Sequence, residues 1–125
     1  MRDFAVQLTH RPGELARVAT ALSRHGVNIK SVAGLAIGQQ VQVRIIADDV
    51  ESARAALEGA NIRFEEGEVI TVLLENRAGE LAAVSAKLAD AGVNLRGLYL
   101  TGIVDDLVEL AIIADDPKKA KRALE

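Results

Sequence analysis

The spacing of apolar residues in the first half of the chain predicts an alternation of strands and helices. Apolar and polar residues alternate from residue 3 to residue 8, which is typical of a half-buried strand. After a break at Pro12-Gly13, apolar residues recur at helical spacing and form a stripe of Leu15, Val18, Ala19 and Leu22. Gly26 follows at the position where helices commonly end in a left-handed residue. This first segment is therefore predicted to be a strand followed by a helix.

The remainder of this half completes the order β-α-β-β-α-β. A second strand is predicted over residues 29–37, a turn over residues 38–40, and a third strand where residues 41–45 alternate. Asp49 is predicted to cap a second helix, whose inward-facing residues are Ala53, Ala56 and Leu57. A short fourth strand is predicted at Ile62–Phe64. The acidic segment Glu65-Glu66-Gly67-Glu68 is interpreted as a solvated connector between the two halves.

The second half repeats the sequence of the first. Arg11-Pro12-Gly13-Glu14-Leu15-Ala16 returns 66 residues later as Arg77-Ala78-Gly79-Glu80-Leu81-Ala82, and Gly26-Val27-Asn28-Ile29 returns at the same spacing as Gly92-Val93-Asn94-Leu95. Ten of the eighteen positions from residue 11 to residue 28 are identical to their counterparts. Ile45-Ile46-Ala47-Asp48-Asp49 returns 67 residues later as Ile112-Ile113-Ala114-Asp115-Asp116. Agreement of separate blocks at almost one spacing indicates an internal duplication.

The duplication predicts an α+β fold of two ferredoxin-like βαββαβ units, with antiparallel sheets and the helices on one face of each sheet. We assign residues 1–67 to the first domain and residues 68–125 to the second. In the second domain, strands at Leu95–Leu100 and Leu107–Ile113 are predicted to pair across residues 102–106, and Asp116-Pro117 is predicted to start the last helix. The sequence ends at Glu125 with no fourth strand, so this unit is predicted to lack its last strand.

Composition narrows the class of function. The formal net charge of −3 and the 2% aromatic content provide neither a basic footprint nor stacking side chains for nucleic acid. The absence of cysteine excludes disulfides and thiolate chemistry, and it fits a cytoplasmic location. No apolar run is long enough to span a bilayer, and no signal-peptide pattern is present, so a membrane is not an expected partner.

The recurring Arg-Pro-Gly-Glu-Leu motif, followed thirteen residues after its glycine by Gly-Val-Asn-Ile, resembles the ACT domain family once in each half. The resemblance implies a regulatory, allosteric module that binds amino acids, usually at an interface between paired domains. Such modules occur in the regulatory parts of biosynthetic enzymes and as free-standing tandem proteins, and this chain resembles the tandem form. The expected partners are a small amino acid and a second copy of the chain, as a homodimer, with an enzyme as a further possible partner.

The resemblance also implies ligand contacts from the turn after the first strand and from the start of the second strand. These positions are His10, Arg11, Pro12, Gly13 and Asn28 in the first half, and Asn76, Arg77, Ala78, Gly79 and Asn94 in the second. The sequence departs from the family pattern at His10, where Asn is typical, and at Ala78, where Pro is usual. A helix N-terminus suits a carboxylate, and an amide can both donate and accept hydrogen bonds. The alternative is purely structural: the glycines form tight turns, the asparagines satisfy loop backbone, and His10, Arg11 and Arg77 are polar surface residues.

Other candidate residues favour structural roles. The pairs Asp48-Asp49 and Asp115-Asp116 each precede a helix, where aspartate is a preferred cap, rather than forming a metal site or an acid–base pair. His25 lies at a helix C-terminus, where positive charge is favourable. Tyr99 lies on a predicted strand near a pairing edge, where it can pack at an interface.

We therefore expect a non-catalytic protein with no cofactor, no metal and no catalytic residue. The sequence contains no Gly-x-Ser-x-Gly motif, no phosphate-binding loop and no histidine cluster. The leading hypothesis is a regulatory module that binds a small amino acid at domain or subunit interfaces. The alternative is a regulatory subunit without a small ligand, which docks on a metabolic enzyme through the sheet edge at Val69–Leu74.

Overall fold

The computed structural model describes all 125 residues, and the chain forms two compact units. The first unit comprises residues 2–67, and the second comprises residues 68–125 together with Met1. The elements, in chain order, are β1 (Arg2–Thr9), α1 (Glu14–Arg24), β2 (Ile29–Ile37), β3 (Gln40–Ala47), α2 (Val50–Gly59), β4 (Phe64–Glu68), β5 (Ile70–Glu75), α3 (Glu80–Asp90), β6 (Leu95–Val104), β7 (Leu107–Ala114) and α4 (Pro117–Leu124).

The first unit has a sheet in the order β2-β3-β1-β4. Strand β3 runs antiparallel to both β1 and β2, so β1 and β2 run in the same direction. Both helices pack on one face of the sheet, where Val18 and Leu22 from α1 and Leu57 from α2 join the strand residues Val6 and Ile45 in one core. This arrangement confirms the ferredoxin-like βαββαβ fold of the first unit.

The second unit repeats the architecture without the fourth strand. Its sheet has the order β5-β7-β6, with both pairings antiparallel. Val84 and Leu88 from α3 and Ala120 from α4 pack against Leu110 and Ile112 of β7. The prediction that this unit lacks its last strand is therefore confirmed.

The second helix of each unit begins at an aspartate cap. The Asp49 carboxylate accepts a hydrogen bond from the Ser52 N–H at 3.1 Å, and the Asp116 carboxylate accepts one from the Lys119 N–H at 3.1 Å. Each bond satisfies a donor that the helix itself leaves without a partner, so both predicted caps are confirmed. None of the helices is both long enough and apolar enough to cross a membrane.

The predicted fourth strand and connector were wrong in extent. Strand β4 begins at Phe64 and includes the acidic segment Glu65–Glu68. A strand can hold this charge because Glu66 is only 18% exposed and accepts hydrogen bonds from Arg54, at 2.7 and 3.2 Å, and from Arg2 at 3.4 Å. Ile62 is buried in the preceding loop rather than in the strand.

The predicted apolar stripe of α1 was wrong by about one position around the helix. The residues that face the core are Glu14, Val18 and Leu22, spaced four apart, whereas Leu15 is 55% exposed and Ala19 is exposed. The counterpart Leu81 on α3 is 51% exposed. Because each residue turns the chain by about 100°, a stripe through residues 14, 18 and 22 directs residue 15 to the side of the helix.

Two strands also differ from the prediction. The first half of β1 is buried on both faces, because Asp3 and Ala5 are buried as well as Phe4. At this buried position, the Asp3 carboxylate accepts a hydrogen bond from the Arg44 guanidinium at 2.7 Å. Strand β6 extends to Val104, so the hairpin turn is shorter than the predicted segment 102–106 and lies at Asp105 and Asp106.

Candidate functional site

The turn between the first strand and the first helix has the same construction in both units. Gly13 and Gly79 precede the helices with φ of 90° and 92°, in the left-handed region that favours glycine. The N–H of His10 donates to the carbonyl of Gln39 at 3.0 Å, and the N–H of Asn76 donates to the carbonyl of Asp106 at 2.6 Å. Each turn is thereby fixed to the tip of the neighbouring hairpin.

In the first unit, the side chain of Glu14 contacts this turn and the start of the helix through a hydrogen bond and two ion pairs. The Glu14 carboxylate is 11% exposed, accepts a hydrogen bond from the Thr9 N–H at 3.4 Å, and lies 3.5 Å from the guanidinium groups of Arg11 and Arg17. Desolvation alone would raise the pKa of Glu14, but the Thr9 hydrogen bond and the two arginine charges together lower it below its usual value. Glu14 is therefore an anion that holds the turn and the helix start together.

In the second unit the same positions form a tighter ion cluster. Arg77 lies 2.8 Å from Glu80 and 2.6 Å from Glu75, which replaces Thr9 of the first unit. Ala83 stands where the first unit has Arg17. The turn of the second unit therefore has two carboxylates for one guanidinium, whereas the first has two guanidiniums for one carboxylate.

Beside the turn of the first unit lies a cavity of about 460 Å³, which we call the first groove. Its apolar wall consists of Leu8, Val41 and Val43 from the sheet and Leu15 from α1. Its polar end consists of the turn residues His10, Arg11 and Pro12, together with Glu14. A largely apolar concavity with a few polar groups at one end is the usual form of a small-molecule site.

The second unit has an equivalent cavity of about 320 Å³, the second groove. The four apolar residues of the first groove have counterparts in Leu74, Val108, Leu110 and Leu81. Its turn residues have counterparts in Asn76 and Arg77. Leu98, Tyr99 and Leu100 of β6 also line it. The exposure of Leu15 and Leu81 thus has a common explanation, since both side chains form groove walls rather than core.

The two asparagines lie elsewhere in their units. The Asn28 N–H donates to the Asp48 carboxylate at 3.0 Å and the Asn28 carbonyl accepts from the Asp48 N–H at 3.1 Å. Asn94 and Asp115 make the same pair of bonds at 3.1 and 3.0 Å. Asp48 and Asp115 are therefore not helix caps but join the start of one strand to the end of its neighbour.

Within one unit, the structure separates the asparagine from the turn. Asn28 lies beside the end of β3 at Ala47, whereas the turn follows Thr9, which lies opposite Gln40 at the start of β3. Seven strand residues separate these ends, a distance of about 23 Å. Of the predicted ligand residues, His10, Arg11 and Pro12 line the first groove and Asn76 and Arg77 line the second. Gly13, Asn28, Ala78, Gly79 and Asn94 line neither.

Sequence reasoning overlooked the glutamate and the leucine that follow each turn glycine. Glu14 and Leu15 are identical in the two copies, as Glu80 and Leu81, so the duplication itself was the signal that could have identified them. No group of three or more His, Cys, Asp or Glu side chains in the structure is arranged to hold a metal ion.

Comparison with known proteins finds similarity in structure rather than in sequence. No protein-family model and no curated protein matches the sequence. The structure of protein BT0572 from Bacteroides thetaiotaomicron matches with a TM-score of 0.86 at 20% identity, over 98% of this chain and 85% of that chain. The ligand-free regulatory subunit of aspartate kinase from Thermus thermophilus matches with a TM-score of 0.65 at 18% identity, over 98% of this chain and 89% of that chain.

A second regulatory subunit of aspartate kinase, from Thermus flavus, matches with a TM-score of 0.62 at 19% identity, over 99% of this chain and 92% of that chain. The first unit of this chain has the ferredoxin-like βαββαβ fold, consistent with that of ACT domains, and the second unit has the same arrangement without the last strand. At these identities the likeness to solved structures establishes the fold alone.

Proposed function

We propose that this tandem ACT protein is a non-catalytic regulatory module that binds a small amino acid in its grooves. The observation that supports this most directly is the recurrence of one groove in both units, apolar along the sheet and polar at the turn. Duplicated sequences that keep the same cavity and the same lining leucine, Leu15 or Leu81, indicate a shared role for that cavity.

The lining matches the two ends of an amino acid. The leucines and valines of each groove offer an apolar surface for an aliphatic side chain. At the other end, Arg11 in the first groove can donate hydrogen bonds to the carboxylate. His10 in the first groove and Asn76 in the second can hydrogen-bond either the carboxylate or the ammonium group. The N-terminus of α1 or α3 adds a partial positive charge beside the carboxylate.

The position of the asparagines supports a site shared between two subunits of a homodimer. Strands β2 and β6 are sheet edges, and both have strongly exposed apolar residues, such as Ile37 at 74% and Ile103 at 65%. Asn28 precedes β2, and the far end of β2 lies at the turn end of the unit. Antiparallel pairing of two such edges would set the asparagine of one unit near the turn of the other.

The proposal is tested by thermal unfolding in the presence of each of the twenty amino acids, with keto acids and nucleotides as negative controls. A ligand at about 100 times its dissociation constant stabilises the native state by about 2.7 kcal/mol, which for a chain of this length raises Tm by about 10 °C. Leu15→Ser and Leu81→Ser are expected to reduce the shift. Leu73→Ser is the matched control, because Leu73 is 66% exposed and lines neither groove. An unchanged Tm with all twenty amino acids would refute the proposal.

The homodimer is tested separately by sedimentation. We expect the chain to sediment as a dimer at micromolar concentration, and substitution of the exposed edge residue Ile37 by Lys is expected to weaken association if β2 forms the interface. Sedimentation as a monomer at high protein concentration, with and without amino acids, would exclude the homodimer.

A second candidate function is docking on an enzyme without a small ligand. The observation that favours it is a groove of about 360 Å³ between β5 and α4, lined by Val69, Ile70, Val72 and Leu124, on the strand that has no fourth-strand neighbour within its unit. Such an edge can accept a strand from another protein. Co-purification with a larger enzyme, together with indifference to every amino acid, would favour this function over amino acid binding.

A further inference from the structure

The first unit has a second concave site at its turn end, which we call the basic cleft. Its volume is about 560 Å³, and its charged lining consists of Arg11, Arg17, Arg63 and Glu14. It shares Arg11 and Glu14 with the first groove but extends to the loop between α2 and β4, which supplies Arg63 and Asn61. Unlike the first groove, its surface is predominantly polar, because amide side chains such as that of Gln40 complete the lining.

The charges in the basic cleft are unbalanced. Three guanidinium groups face one carboxylate, which leaves a net charge of +2 on the lining. Arg11 and Arg17 lie 3.5 Å from Glu14, beyond the distance of a strong charge-assisted hydrogen bond. Arg63 has no carboxylate within 4 Å. Most of the guanidinium N–H donors in the cleft are therefore available to a ligand.

The second unit provides an internal comparison. There Glu75 replaces Thr9 and Ala83 replaces Arg17. The corresponding turn has the opposite net charge, with Glu75 and Glu80 against Arg77. The positive charge of the basic cleft is thus a feature of the first unit's sequence and not a consequence of the fold.

We propose that the basic cleft binds a small aliphatic polyanion, a molecule with at least two carboxylate or phosphate groups. The planar fork of arginine donors matches both kinds of group, and three such forks around one cavity require more than one negative charge for neutrality. No aromatic side chain lines the cleft, so a nucleobase would have no stacking surface there. The amide of Asn61 provides a further donor for the oxygens of the ligand.

The experiment measures binding of inorganic phosphate, pyrophosphate, succinate and citrate by calorimetry, at constant ionic strength set with sodium chloride. The expected result is saturable binding of at least one multiply charged probe, and the comparison of the phosphates with the carboxylates identifies the preferred anion. Arg17→Gln and Arg63→Gln are expected to weaken that binding at least tenfold. Arg24→Gln is the matched control, because Arg24 is an exposed arginine on the same helix that does not line the cleft.

Two results would overturn the proposal: binding of no probe beyond the chloride background, or an equal loss of affinity in Arg24→Gln, which would indicate nonspecific charge attraction. Far-UV circular dichroism and Tm without ligand verify that each variant is folded. The test is independent of the proposed amino acid site, because Arg63 and Arg17 do not line the first groove. If the unsubstituted protein bound no polyanion while amino acids still raised the Tm of Arg63→Gln, the proposal for the basic cleft would be refuted and the proposed amino acid site would not.

Discussion

Two leucines on α1 are expected to respond very differently to truncation, although sequence periodicity places them on one stripe. Leu22 is 1% exposed within the core, so Leu22→Ala should destabilise the protein by about 2–5 kcal/mol through lost burial and a residual cavity. Leu15 is slightly less than half buried. Removing its three outer carbons, at about 0.8 kcal/mol per fully buried carbon, should cost only about 1 kcal/mol, and the higher helix propensity of alanine reduces this further.

The measurement is urea unfolding monitored by circular dichroism, with the slope m used to verify that both variants unfold as the unsubstituted protein does. The second unit supplies a replicate, since Leu88 is 2% exposed and Leu81 is 51% exposed. Amino acid binding should show the reverse order, because Leu15 lines the first groove and Leu22 does not. If Leu15→Ala were as destabilising as Leu22→Ala, Leu15 would be a core residue and the groove would lose its outer wall.

Three further predictions concern charged groups. Arg44→Met should destabilise the protein by about 3–5 kcal/mol in urea unfolding, because it removes the guanidinium that donates to the fully buried Asp3 carboxylate. A loss below about 1 kcal/mol would contradict this, and adding Asp3→Asn should recover part of the loss. The hydrogen bond from Arg54 outweighs desolvation, so the pKa of Glu66 is lower in the folded protein than its ordinary value. The ionised Glu66 therefore stabilises the folded state at pH values above the ordinary glutamate pKa, and this stabilisation is lost as pH falls below about 4.3. Glu66→Gln should therefore flatten the acid side of the stability–pH curve, and an unchanged acid slope would show that Glu66 is not responsible for it. Asp115→Ala should lower the free energy of unfolding by about 1 kcal/mol, because it removes the acceptor for the Asn94 N–H just before β6. Circular dichroism should show that the last helix is retained, and loss of that helix would mean that Asp115 acts as its cap.

The element order could be predicted from the sequence because it depends on local periodicity and on the duplication. The exact face of α1 could not. Val18 and Leu22 belong both to the predicted stripe with Leu15 and to the observed stripe with Glu14, so spacing alone does not choose between them. Hydrophobicity favoured the leucine, whereas the structure buries the glutamate, which the Thr9 N–H and two arginines stabilise. A buried carboxylate needs hydrogen bonds and nearby positive charges, and these depend on tertiary contacts that the spacing of apolar residues does not reveal.

The candidate site was only partly predictable for a topological reason. In sequence, Gly13 and Asn28 are separated by little more than one helix, and the motif presents them as neighbours. That helix runs back along the sheet, so its two ends, and the residues beside them, lie at opposite ends of the unit. The sequence therefore identified the turn residues that line the grooves but could not show that the asparagines are engaged with Asp48 and Asp115 at the far end.

The two turns differ in charge, and under the proposed function this predicts a difference in what the two grooves bind. In the second unit, Glu75 and Glu80 lie within 2.8 Å of Arg77, so its guanidinium already has two carboxylate partners and a ligand carboxylate would have to compete with them. In the first unit, Arg11 has one carboxylate partner, Glu14, at 3.5 Å. Four apolar wall residues correspond in the two grooves, so the differences between the grooves lie in these charges and in the β6 residues that line only the second groove. Under the proposed function, we therefore expect the first groove to favour an anionic end group and the second groove to favour a ligand held mainly by its side chain.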